Sequence, residues 1–130
     1  MRYVLKISLC VAALIHLLPV VGVMGVDRLQ SLYGVAIEGP DLQVLMRHRA
    51  VLFGLLGLYL LAAAFIPALQ PTALAAGLVS VLSFLLLAWS AAGYNASIAR
   101  IVAVDVIALV ALLFGTAALF IIRSQSWPQS

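Results

Sequence analysis

The stretch from Ala50 to Ala99 reads AVLFGLLGLYLLAAAFIPALQPTALAAGLVSVLSFLLLAWSAAGYNASIA and contains no charged residue. A helix crossing a bilayer core needs about 20 apolar residues, so this run holds two crossings. The break falls at Pro67-Ala68-Leu69-Gln70-Pro71-Thr72, because each proline lacks an amide donor and turns its predecessor away from helical geometry. Lipid offers no partner for open backbone groups, so the crossings are helices. None of the apolar segments alternates in polarity as a membrane β-barrel strand would.

Ile7 to Val26 is a further uncharged run, and the stretch between Arg100 and Arg123 is interrupted only by Asp105. The expected fold is therefore an all-α integral membrane protein, a four-transmembrane-helix bundle formed by a single domain, residues 1–130. The expected spans are 5–26, 42–66, 72–94 and 101–122, with one longer polar loop between spans one and two. In that loop Gly39-Pro40-Asp41 reads as a turn with Asp41 as the N-cap of span two, and Asp27 to Tyr33 suits a short interfacial helix. The alternative for the first segment is a cleaved signal peptide, with Arg2 and Lys6 as its basic start and Gly22-Val23-Met24-Gly25 as a cleavable region. The apolar run is long for such a segment, which favours a retained span.

Composition agrees. The chain has 130 residues, 66% hydrophobic and 8% charged, whereas soluble domains run near 45–50% and about 25%. Seven Lys+Arg and four Asp+Glu cannot cover a soluble surface. The net charge of +3 is a small excess among few charges, not a basic patch for phosphate backbones, so nucleic acid is excluded as a partner. One cysteine, Cys10, permits no internal disulfide and reads as a small packing residue.

With four spans, both termini share one side. Asp27, Glu38, Asp41, Arg47, His48, Arg49, Tyr94, Asn95 and Arg100 gather at the other, with Asp105 a short way into span four. Gln43, Arg47, Ala50, Gly54 and Gly57 follow helical spacing, so Arg47 heads a stripe of small residues and should face the bundle. Ser80, Ser83, Leu87, Ser90, Tyr94 and Ser97 form a second stripe; Asp105, Ala108, Leu112 and Gly115 form a third. Together they predict a polar recess at the loop end. A charge in the membrane costs at least about 2.5–3.5 kcal/mol, so Asp105 should have a partner. Arg47 is the expected cation and Arg49 the substitute. The candidate ligand-binding residues are Arg47, His48, Arg49, Tyr94, Arg100, Asp105 and His16.

The plainer reading has Asp105 hydrated at headgroup depth and Arg47, His48 and Arg49 reaching to anionic lipid. His16 then makes a hydrogen bond to a neighbouring helix, the serines serve as interhelical glue, and Trp89 and Trp127 anchor the interface. The sequence contains no Glu-x-x-His, Cys-x-x-Cys or glycine-rich phosphate loop. No catalytic or metal residues and no required cofactor are therefore expected; a quinone or a lipid is the candidate occupant.

Leu32-Tyr33-Gly34, Pro40-Asp41, Met46 to Gly54 (MRHRAVLFG), Phe65-Ile66-Pro67-Ala68-Leu69 and Gly93-Tyr94-Asn95 resemble segments of a group of small bacterial four-span proteins. That group is similar in layout to the DoxX-like membrane proteins, some of which are linked to quinone-dependent sulfur oxidation. Some members of the closer group carry the name phosphopantetheine adenylyltransferase. The soluble enzyme of that name is a doubly wound nucleotide-binding fold with a His-x-Gly-His motif, whereas the histidines here are His16 and His48 and form no such motif. The resemblance implies a multi-pass protein of the bacterial inner membrane. Cations are nearly balanced between the two sides, and cytoplasmic termini follow if Arg47 and Arg49 are helix-embedded.

The expected role is a binding or accessory subunit whose recess takes a lipid headgroup, a quinone or a partner helix. The bilayer, a membrane protein partner or a second copy are its expected partners. The alternative is a membrane enzyme acting on a lipid-soluble substrate, with Asp105, His16 or His48 transferring protons.

Overall fold

The computed structural model describes residues 1–91 and 93–125, and among them there are helices and no strands. The elements are α1 (Arg2–Leu17), a 3-10 segment (Leu18–Met24), α2 (Val26–Tyr33), α3 (Pro40–Phe65), a short 3-10 turn (Pro67–Leu69), α4 (Gln70–Ser90) and α5 (Ala96–Gln125). Four helical stretches are long and apolar enough to cross a membrane: Arg2–Met24, Pro40–Phe65, Pro67–Ser90 and Ala96–Gln125. α1 packs against α3 and α5, and α4 packs against α5 and α3, so the four close into a ring.

The distribution of side-chain sizes is the reverse of a soluble core. Ala12, Ala13, Ala63, Ala64, Ala73 and Ala108 are fully buried, as Gly54, Gly57, Gly77 and Gly115 are buried. Leu87 at 68%, Phe120 at 78% and Trp89 at 85% exposure point outward. Small residues let membrane helices approach closely, and large apolar ones face lipid. Gly57 shows the tolerance: a Cβ there would lie 3.2 Å from the backbone oxygen of Ala13 and 2.8 Å from Leu17 Cγ. Cys10 is free and half-buried. Trp127 lies outside the described residues.

Pro19 sets the shape of the first span. It cannot donate to the Ile15 carbonyl, and the Leu18 amide takes that acceptor instead. This i→i−3 bond tightens the chain into the 3-10 segment that runs to Met24. The connection to span two is largely helical, with α2 occupying most of the expected loop and residues 34–39 lying outside helix. Leu29, Tyr33 and Ile37 form a second buried cluster with Met46, Ile98 and Ile101, which fastens α2 over the ends of α3 and α5.

Two local expectations are corrected. Asp41 is not the N-cap of span two: α3 starts at Pro40 after Gly39, and no side chain caps it. Proline's fixed φ and missing amide suit the first helical position, which moves the start ahead of Asp41. Span four begins at Ala96 instead of residue 101, because the Asn95 side-chain oxygen accepts the Ile98 amide at 2.9 Å and caps the helix.

Candidate functional site

A recess of about 440 Å³ opens at the loop end of the ring. Its walls are the end of α1, the 3-10 segment, α2, α3 and the start of α5. Ile15, Leu18, Pro19, Val21, Leu32, Phe53, Ile101 and Val104 make it mainly apolar. Its charged residues are Arg28, Arg49, Arg100 and Asp105, and His16, Ser31, Tyr33 and Ser97 complete the polar lining.

Arg49 and Asp105 each sit nine residues past the first residue of their helices, Pro40 and Ala96. That offset places each about 13.5 Å along its helix axis. The guanidinium of Arg49 lies 5.1 Å from the Tyr33 ring centre, 5.2 Å from that of Phe53 and 5.8 Å from that of Phe84. Each such contact is worth roughly 0.5–2 kcal/mol according to its desolvation, so three rings offset much of the cost of withdrawing this cation from water. Among the described residues no oxygen accepts a hydrogen bond from Arg49. Asp105 is 8% exposed. It also lacks a hydrogen-bond donor among the described residues, yet neither of its oxygens is sealed off unpartnered. The charges of Arg49 and Asp105 act on each other without forming a close ion pair.

His16 is 2% exposed and sits at the inner end of the recess. Its Nδ1 lies 2.8 Å from the Ala12 carbonyl, which only accepts, so Nδ1 carries the proton in the neutral ring. Nε2 then accepts from the Ser80 hydroxyl, 3.4 Å away on α4. The ring also stacks on Phe53 at 5.7 Å between centroids. Tyr33 belongs to α2, and burial pushes its phenol above the ordinary value, with the nearby Arg49 charge opposing the shift and Asp105 adding to it.

Four of the seven candidate residues thus meet in one recess: His16, Arg49, Arg100 and Asp105. Arg47, His48 and Tyr94 do not line it, and all three are exposed. The expected Asp105–Arg47 pair is not formed. Arg47 Nε donates to the Val23 carbonyl at 3.2 Å, at the end of the 3-10 segment, and Arg49 is the cation that senses Asp105. The serine stripe of span three is also corrected. Ser83 and Ser90 are exposed and donate to carbonyls of their own helix, Ser80 reaches inward to His16, and Ser97 sits on α5, where it lines the recess and accepts from Arg100 at 3.2 Å. The buried face of α4 carries Gln70, Ala73, Leu74, Gly77, Val81 and Ala88. The third stripe, Asp105, Ala108, Leu112 and Gly115, is buried along α5.

Sequence reasoning missed Arg28 and Asn95. Arg28 lines the recess from α2, and Asn95 fastens α2 by donating to the carbonyls of Tyr33 and Gly34, each at 3.0 Å. Gly34 ends α2 with φ +64, and the pair Gly34 with Asn95 was the readable signal for a helix end meeting a helix start. No cluster of three or more metal-ligating side chains exists among the described residues.

Fold and recess together define a small helical protein of multi-pass membrane type. Compared with family models, with curated proteins and with solved structures, the chain gives no match.

Proposed function

We propose that this chain is a small binding protein of the bacterial inner membrane, with both termini cytoplasmic, whose recess holds the head of a membrane-dissolved molecule. The observation that carries the reading is the recess itself: an apolar pocket in which Arg49 and Asp105 have no hydrogen-bond partners among the described residues. Ligand pockets commonly measure 300–1,000 Å³ and combine apolar walls with a few directed polar groups. The likeness in layout to the DoxX-like group agrees with a membrane-dissolved ligand, a lipid or a quinone.

Mass spectrometry of small molecules that co-purify in mild detergent tests this. A stoichiometric lipid or quinone is expected with the wild type and a reduced amount with Asp105→Asn. An empty protein held by a tight partner chain, or by a second copy through its outer faces, would make it an accessory subunit instead. Tag accessibility in intact cells tests the placement of the termini. The enzyme reading draws on one observation, that His16 and Asp105 line the same recess. It requires turnover of a lipid-soluble substrate that Asp105→Asn abolishes while binding persists.

A further inference from the structure

The chemistry of the recess narrows its occupant. The three arginines and one aspartate that line it leave a surplus of two positive charges when His16 is neutral. Arginine offers donors only, and ionised Asp105 accepts only. A matching head must therefore present anionic acceptor oxygens to the guanidiniums and a hydrogen-bond donor to the carboxylate. His16 makes no such demand, because both of its ring nitrogens are engaged, by Ala12 and by Ser80. An uncharged quinone accepts at both of its oxygens and would set an acceptor against Asp105. A choline head bears no N–H or O–H. An ethanolamine head supplies a donor but, with its phosphate, adds no net charge to offset the surplus.

We propose that the recess binds a phospholipid whose head is anionic and carries a hydroxyl, of the phosphatidylglycerol type. Arg49, held by its three rings with no N–H bonded to another described residue, takes the phosphate. A planar guanidinium suits phosphate oxygens because two N–H groups can donate in parallel. Arg28 and Arg100 are exposed and line the mouth, where they add to the attraction. Asp105 accepts from the head hydroxyl. Leu18, Val21, Ile101 and Val104 meet the first part of the acyl chains. The proposal rests on the recess being a ligand site, as argued above.

The test is titration of the delipidated, detergent-purified protein, read by native mass spectrometry. The probes are dioctanoyl phosphatidylglycerol, phosphatidylethanolamine and phosphatidylcholine, decylubiquinone, and glycerol 1-phosphate. Phosphatidylglycerol should bind about tenfold or more tightly than phosphatidylcholine, the scale of one charge-assisted hydrogen bond, and more tightly than phosphatidylethanolamine. Glycerol 1-phosphate alone should bind weakly, since it lacks the chains. Arg49→Gln should abolish the preference, and Asp105→Asn should narrow the gap between the glycerol and choline heads. Arg100→Gln, at an exposed position, should weaken phosphatidylglycerol even if Arg49→Gln fails to fold. Equal binding of the three lipids, tighter binding of phosphatidylethanolamine, or glycerol 1-phosphate binding as well as the lipid would each overturn the proposal. Binding of decylubiquinone without phosphatidylglycerol would overturn it and leave the recess a ligand site. Binding of no probe would remove both readings.

Discussion

The side-chain amide of Asn95 donates to the Tyr33 carbonyl at 3.0 Å, joining the end of α2 to the start of α5 across 62 positions of sequence. The same side chain caps α5 through Ile98. One residue therefore fixes two walls of the recess relative to each other.

Two substitutions separate these roles. Asn95→Asp keeps the capping oxygen and loses the donor to α2, so it should leave α5 intact while residues 26–33 lose protection in hydrogen exchange. Asn95→Ala loses both and should cost about 1–2 kcal/mol of stability, the usual scale of a lost cap. Equal protection of α2 in the wild type and in Asn95→Asp would show that the hydrophobic cluster alone holds it.

Gly57 fixes how closely α1 and α3 approach. A Cβ at this position meets the Ala13 carbonyl, which belongs to a helix backbone and cannot rotate away. Gly57→Ala should destabilise by roughly 1–3 kcal/mol, the range for overpacked sites, seen as a lower midpoint in thermal unfolding in detergent. At Gly77 the nearest atoms are the ends of Leu112 and Leu60 side chains, so Gly77→Ala should cost less.

Arg49 and Asp105 should prove energetically coupled although they do not touch. In a double-mutant cycle of Arg49→Gln and Asp105→Asn, the double variant should be more stable than the sum of the single losses predicts. Neighbouring groups of this kind couple by about 0.5–3 kcal/mol. The same cycle built on Arg47→Gln should be additive, since Arg47 is engaged with Val23.

Tyr33 gives a pH dependence with a definite sign. Burial raises its phenol above the ordinary value of 10.0, so above that pH the unfolded chain releases this proton before the folded one does. The resulting stability is fully present below about pH 10 and declines as pH climbs through the raised folded value. Tyr33→Phe should flatten this alkaline decline and remove a late tyrosinate step from the ultraviolet absorbance titration.

Much of the fold was readable because lipid leaves few choices. The uncharged run from Ala50 to Ala99 and the break at Pro67 correspond to α3 and α4, and the convergence of charge at one end corresponds to the recess. The choice between Arg47 and Arg49 was not readable from spacing. Arg47 does continue the stripe of Ala50, Gly54 and Gly57, yet beside it the first span has left α-helical geometry, and the Val23 carbonyl meets its guanidinium. Arg49 lies on a neighbouring face that is covered by Tyr33 of α2 and Phe84 of α4. The serine stripe misled for a related reason: short hydroxyl side chains satisfied themselves on their own helix and needed no neighbour.

The 3-10 segment after Pro19 carries a consequence for where empty space can exist. A 3-10 helix rises about 2.0 Å per residue against 1.5 Å for an α-helix, and it is correspondingly slimmer. Over Leu18–Met24 the first span is drawn out and thinned at the level where Arg49, Asp105 and α2 meet. The drawn-out segment forms one side of the hollow through Leu18, Pro19 and Val21, and it begins where a proline has no amide hydrogen to give. Moving that one imino acid along the first span would reshape this wall without altering any of the charges that line the recess.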